Sequence, residues 1–392
     1  MSANITFLEG TYRLIHIPLD LYATFLQPIL RVLIPHAQSL QLDDQTPLDV
    51  RFEGLSSEYQ HAFMNISVTR FECSLVCHTS WAEHVFEPVI RTLPPEQAQA
   101  IWSHAESYIV LSVASAAELD APTRVLELTS PLAAAGIPIF FITTYYSDYI
   151  LAPAHEQLNV IAALHERGFE LSESHDNFYV CRRNSTTGGR GRSGSSSPPP
   201  FSSEELQSAT FELLQTHRVS PHVDPGLELV MCASRDAMPF VHAYARLISY
   251  GREVAVRETW IDHVDTKFYA ALVSVLVSQP RFVSVTLTQD DPPSLLIDKS
   301  LLSLFSNSIV GDLNTVLTPI FLDLVTLPTE VTGIVCVVSG RLVHEMDMKA
   351  TSELSYLSTA RAGVVILPEQ QAIQAVKILE PLMKPKEENV ES

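Results

Sequence analysis

Residues 137–164 read IPIFFITTYYSDYILAPAHEQLNVIAAL, and residues 352–379 read SELSYLSTARAGVVILPEQQAIQAVKIL. The two align without a gap at an offset of about 215: Thr144 falls on Thr359, Pro153 on Pro368 and Leu164 on Leu379, and the apolar positions agree. The same offset lays YRLIHIPLDLYATFLQPILR at 12–31 over LELVMCASRDAMPFVHAYAR at 227–246. Two segments repeating at one spacing argue for a duplicated half, and small molecules often bind where packed halves meet.

Working outward, the clearest boundary is NSTTGGRGRSGSSSPPP at 184–200. Gly and Ser leave the backbone unrestrained, so this stretch reads as a linker between the halves. The first half reads as strand Tyr12–Ile17, a helix from Leu19 to Leu33, strands Phe63–Thr69 and Cys73–His78, and a helix from Trp81 to Leu93. A second series follows with strand Tyr108–Val113, helix Pro122–Ala135 ended by Gly136, strands Pro138–Thr144 and Asp148–Leu151, helix His155–Arg167 and a strand at Phe178–Arg182. The second half reads as strand Leu227–Cys232, helix Met238–Ser249 and strands Phe282–Thr288 and Ser294–Asp298. A strand at Gly333–Val338, a helical stretch near Arg341–Lys349, strands Leu354–Thr359 and Gly363–Leu367 and helix Gln371–Leu382 complete it. Residues 251–281 receive no assignment.

This order, β-α-β-β-α-β twice per half, predicts an α+β protein of four tandem ferredoxin-like units in two duplicated halves. The expected boundaries are 8–105, 106–183, 204–315 and 316–384, with 184–203 as linker.

The composition narrows the function classes. A net charge of −20 disfavours nucleic acid, whose binders need a concentrated basic face, and equally disfavours an anionic membrane surface. The five cysteines are odd in number and scattered, which fits a reducing compartment. The opening MSANITFLEG lacks a basic region leading into an apolar core. Together these predict a soluble cytoplasmic protein. No phosphate-loop, dinucleotide, zincin or nucleophile-elbow motif is present, so no enzyme activity, cofactor or metal is expected. Cys73, Cys77 and His78 lie close enough in sequence to suggest a metal site, but on a strand the two thiols share one face and read as inward packing.

The chain resembles the CASTOR family of cytosolic arginine sensors, proteins of tandem ACT domains related to aspartate kinase regulatory regions. The resemblance is carried by LAAAGIPIFFITTYYSDYILA at 132–152, GLELVMCAS at 226–234, RFVSVTLT at 281–288 with SLLIDK at 294–299, LSYLST at 354–359 and VVILPE at 364–369. It implies an amino-acid ligand held between the second and fourth units, by Pro138, Ile139, Glu330, Gly333, Ile334, Thr359, Ala360, Arg361 and Gly363. At Gly363 the family usually has an acidic residue that meets the cationic ligand, at Ala360 an aromatic and at Pro138 a serine. The ligand implied is therefore arginine or another amino acid, and an inward Arg361 would favour an acidic or neutral one. The resemblance further implies that Tyr145, Tyr146 and Asp148 contact a protein partner, the GATOR assembly controlling the TOR kinase complex, although Tyr146 replaces a family glutamine. A homodimer, an allosteric subunit of an amino-acid biosynthetic enzyme and a ligand-independent scaffold remain further readings.

Overall fold

The computed structural model describes residues 4–33, 63–103, 106–114, 121–172, 203–235, 265–288, 291–328, 330–348 and 353–384. The expected strand at 178–182, linker at 184–200 and helix at 238–249 lie outside them.

Twelve principal strands form where apolar and β-branched residues alternate or run together. In the first half they are β1 (Tyr12–Ile17), β2 (Phe63–Val68), β3 (Cys73–His78), β4 (Tyr108–Ala114), β5 (Phe140–Thr143) and β6 (Ser147–Pro153). In the second they are β7 (Leu229–Ser234), β8 (Val283–Thr288), β9 (Ser294–Asp298), β10 (Leu317–Asp323), β11 (Ser355–Ser358) and β12 (Ala362–Pro368). They join in the cyclic order β1–β3–β2–β8–β9–β7–β10–β12–β11–β5–β6–β4 and back to β1, each pair antiparallel.

The expectation of four tandem ferredoxin-like units is therefore corrected: the strands build one closed twelve-stranded antiparallel barrel with helices around it. A self-contained unit would leave its edge strands with unpaired N–H and C=O groups. Here those edges pair with strands from across the chain, and a closed ring has no edge left. Side-chain alternation then splits each strand between two cores. Leu14, Val110 and Val364 join Phe63, Tyr149 and Phe321 on one face, while Ile15, Leu111 and Val365 meet the helices.

Seven helices matter here: α1 (Tyr22–Leu33), α2 (Ala121–Ala134), α3 (Gln157–Glu166), α4 (Ser203–Thr216), α5 (Thr266–Val277), α6 (Ile334–Glu345) and α7 (Glu369–Met383). Phe25 and Ile29 of α1 and Phe268 and Leu272 of α5 share one core, and α2, α3, α4, α6 and α7 share another. Among the described residues, no helix is long and apolar enough to cross a membrane.

Three local expectations also change. Gly333–Val338 was expected as a strand, but Ile334 begins α6, because this apolar run packs against α2 rather than into a ladder. Tertiary burial here overrides the β preference of valine. Strand β10 has no counterpart in the sequence reading; it contains Pro319, a residue that argues against a central strand, yet Pro319 stands opposite Ile366 of β12. Within 251–281, α5 forms with Asp265 as its cap, accepting from the amides of Lys267 and Phe268 at 3.0 Å.

The sequence repeat has a structural counterpart. Where β5 meets β11, Ile142 faces Leu357, its own equivalent at the repeat offset. The Phe141 amide donates to Ser358 Oγ at 2.9 Å and the Tyr356 amide to Thr143 Oγ1 at 3.0 Å, a reciprocal pair about a local twofold. The second seam, β2 with β8, runs six residues and carries a buried polar strip. Asn65 Nδ2 donates to Ser284 Oγ and Thr286 Oγ1, both at 3.0 Å, while Ser67 Oγ donates to Asn65 Oδ1 at 2.7 Å. Replacing Asn65 with Ala removes the donor to Ser284 and Thr286 and the acceptor for Ser67, and denaturant titration should show a loss of about 1–3 kcal/mol. A loss below about 0.5 kcal/mol would mean that the strip contributes nothing to the seam.

Candidate functional site

A cavity of about 490 Å³ opens between α2 and the start of β5 on one side and the first turn of α6 with the β11–β12 hairpin on the other. Pro138, Ile139, Gly333, Ile334, Thr359, Ala360 and Arg361 all line it. The other two expected residues stand apart. Glu330 is exposed on the loop before α6, and Gly363 lies on β12 where the Tyr356 phenol covers it, so that a Cβ there would overlap the hydroxyl.

Local conformation explains the wall. Gly333 adopts φ +84°, the left-handed region that costs glycine nothing, and turns the chain into α6. The first backbone bond of the helix runs from the Val337 amide to the Gly333 carbonyl at 2.8 Å. The amides of Ile334, Val335 and Cys336 thus head the helix at the cavity wall, where the macrodipole favours negative charge. Opposite them, the β5 ladder begins only at Phe140, which leaves the carbonyls of Pro138 and Ile139 outside it.

The hairpin tip is held from a distance. Glu72, in the β2–β3 turn, is fully buried. Its Oε1 accepts from Thr359 Oγ1 at 2.6 Å and from the Arg361 amide at 2.8 Å, and its Oε2 accepts from His16 Nδ1 at 2.6 Å. Ser74 Oγ accepts from the Ala360 amide at 3.0 Å. His16 itself lines the cavity, so this acid links three of its elements.

Arg361 and His16 are the basic side chains on the wall, and among the described residues lining it none is acidic. Arg361 Nε lies 3.6 Å from Asp323 Oδ1 in a partly exposed pair. Tyr356, 1% exposed, brings a hydroxyl that has no hydrogen-bond partner, and burial pushes its pKa up.

The corresponding hairpin, β5–β6, is built alike. The Tyr145 amide donates to Ser294 Oγ at 2.9 Å, and Ser147 Oγ donates to Asp291 Oδ2 at 2.7 Å. Tyr145 is 37% exposed and packs edge-on against the half-buried Tyr146. Asp148 points inward instead, fully buried against Arg124 of α2. Burial raises its carboxyl pKa, and the Arg124 charge and hydrogen bond act to lower it. Cys73 and Cys77 are buried free thiols in the α1–α5 core, their pKa raised by burial, and among the described residues no cluster fit to hold a metal occurs.

His16, Tyr356 and Thr129 line the cavity unforeseen. Nothing local marks His16. Tyr356 could have been found from the repeat, which sets it over Phe141.

Residues 103–166 match the family model of the ACT domain. That stretch contains β4, α2, β5, β6 and α3, whose strands here belong to the closed ring. An ACT domain points to a small-molecule-binding regulatory role. No curated protein matches the chain in sequence. Among solved structures, a protein from Agrobacterium tumefaciens is similar at 16% identity, over 46% of this chain and 98% of that one, with a TM-score of 0.29. Aspartate kinase from Synechocystis is similar at 10% identity over 100% of this chain, with a TM-score of 0.31. The chain spans 57% of that kinase's length.

Two outcomes follow from this geometry. Glu72→Ala should cost about 3 kcal/mol or more, because three donors lose a charged acceptor, and hydrogen exchange at the Arg361 amide should accelerate. Unchanged exchange there would refute the tether. Arg124→Ala should cost about 3–5 kcal/mol near neutral pH by leaving a buried charge unpaired. Arg124 acts to lower the Asp148 pKa against the burial that raises it, so without Arg124 the native carboxyl binds its proton more tightly and the loss should shrink as pH falls. A loss independent of pH would contradict this.

Proposed function

We propose that the chain is a non-catalytic sensor that binds an amino acid in the cavity between α2–β5 and α6–β11–β12 and thereby alters its contact with a protein partner. The observation that carries the reading is the convergence of the α6 N-terminus, the free carbonyl ends before β5 and an apolar wall on one enclosed space. A carboxylate suits the amides of Ile334, Val335 and Cys336, and an ammonium suits the carbonyls of Pro138 and Ile139.

The ligand would bridge α6 to β5 and stabilise the conformation in which they are close. A coupling of about 1–3 kcal/mol changes partner occupancy from several-fold to about a hundredfold. Tyr145 and Tyr146 at the β5–β6 tip are the proposed contact, aromatics being strong interface residues. The CASTOR resemblance supports a cytoplasmic role in nutrient signalling through a GATOR-type partner, with a homodimer as the assembly. Glu330 would act through loop shape and Gly363 by admitting the Tyr356 phenol, neither by ligand contact, and Asp148 through its ion pair with Arg124.

Thermal unfolding against each common amino acid at millimolar concentration tests the ligand. Stabilisation of about 2.7 kcal/mol is expected at a hundredfold excess over Kd. Cys336, half-buried on the cavity wall, provides a second readout. In a Cys181→Ser background the bound amino acid should slow its alkylation, while Cys73, Cys77 and Cys232 stay unreactive. If no amino acid alters either signal, the sensor reading falls.

A further inference from the structure

We infer that the cavity disfavours amino acids with a cationic side chain, because the buried Tyr356 phenol stands over Gly363 where the related half of the molecule carries a carboxylate holding a guanidinium. This rests on the amino-acid reading above and deepens it.

The two hairpins provide the comparison. The offset that matches Ile142 to Leu357 also matches Phe141 to Tyr356, Asp148 to Gly363 and Arg124 to Ser339. In the first half, the Asp148 carboxylate lies buried beside the β5–β6 hairpin and binds the Arg124 guanidinium. That half contains a cation subsite filled by the chain's own arginine. In the second half the acid is gone and Ser339 cannot supply a cation. Tyr356 lines the cavity, and its phenol sits over Gly363 with the hydroxyl unpartnered although the side chain is 1% exposed.

The neighbouring charges point the same way. Arg361 lines the cavity, and among the described residues lining it none is acidic. The buried carboxylate of Glu72, which holds the hairpin tip, has both oxygens occupied by His16, Thr359 and the Arg361 amide. Asp323 lies beyond Arg361, whose charge it partly offsets. A lysine or arginine ligand would lose its hydration and find Arg361 instead of an acid. An uncharged side chain meets Ala133, Ile139 and Val335, and a polar tip can bond the Tyr356 hydroxyl.

Isothermal titration of the full chain with leucine, methionine, glutamine, arginine and lysine tests this. At least one neutral amino acid should bind, with arginine and lysine at least about tenfold weaker. Arginine or lysine binding as tightly as the best neutral ligand overturns the inference while leaving the amino-acid reading intact. Binding by none of the five, nor by any other amino acid in the thermal panel, overturns both. The double variant Tyr356→Phe with Gly363→Asp rebuilds the Phe141–Asp148 arrangement and should raise arginine affinity at least about tenfold. A folded double variant without that gain removes position 363 as the charge selector. Tyr356→Phe alone uses the residue already found at 141. It should weaken glutamine relative to leucine about threefold or more, and an unchanged ratio rejects the hydroxyl's role.

Discussion

The carboxylate of Glu72 is buried completely, and its three donors come from β1, from the tip of the β11–β12 hairpin and from that hairpin's backbone. A charge can be kept from water only where such donors are fixed around it. The β2–β3 turn and the hairpin, far apart in sequence, therefore hold one another in place. Asp291 does related work for the β5–β6 hairpin, accepting from Ser147 and from the Tyr149 hydroxyl at 3.2 Å. Each half thus steadies a hairpin of the other with an acid near the β8–β9 or β2–β3 turn, and the barrel closes between them.

The cavity follows from that arrangement. Closing the ring at Ile142 and Leu357 brings β5 and β11 together, and the helices behind them, α2 and α6, pack as a pair. The N-terminus of α6 is thereby turned towards the start of β5. The two related floors then diverge through side chains alone. An ion pair fills the floor next to Asp148, and next to Gly363 the Tyr356 phenol takes the room a side chain would need. The two halves share the frame, and an acid present at 148 and absent at 363 changes the electrostatics within it.

Much of this was legible in the residues. Strand alternation marked β3 and β9 to the residue, and the repeat marked the two hairpins. Seven of the nine expected cavity residues line one space. Gly363 and Glu330 do not, because a neighbouring phenol covers the first and the second points to solvent. The run at 333–338 misled because isoleucine and valine favour strands, while its actual partner is the face of another helix.

By itself the sequence determined the internal repeat, the acidic charge balance and most of the elements, since these depend on local periodicity and composition. Only the tertiary structure decided that the strands close into a single barrel, that Asp148 is buried against Arg124, that His16 of β1 reaches the cavity, and that Glu72 of the β2–β3 turn holds the hairpin beside it. The physical reason is the same in each case. A strand edge, a buried charge and an orphan amide must each find a partner, and neither alternation nor turn signals encode where along the chain it lies.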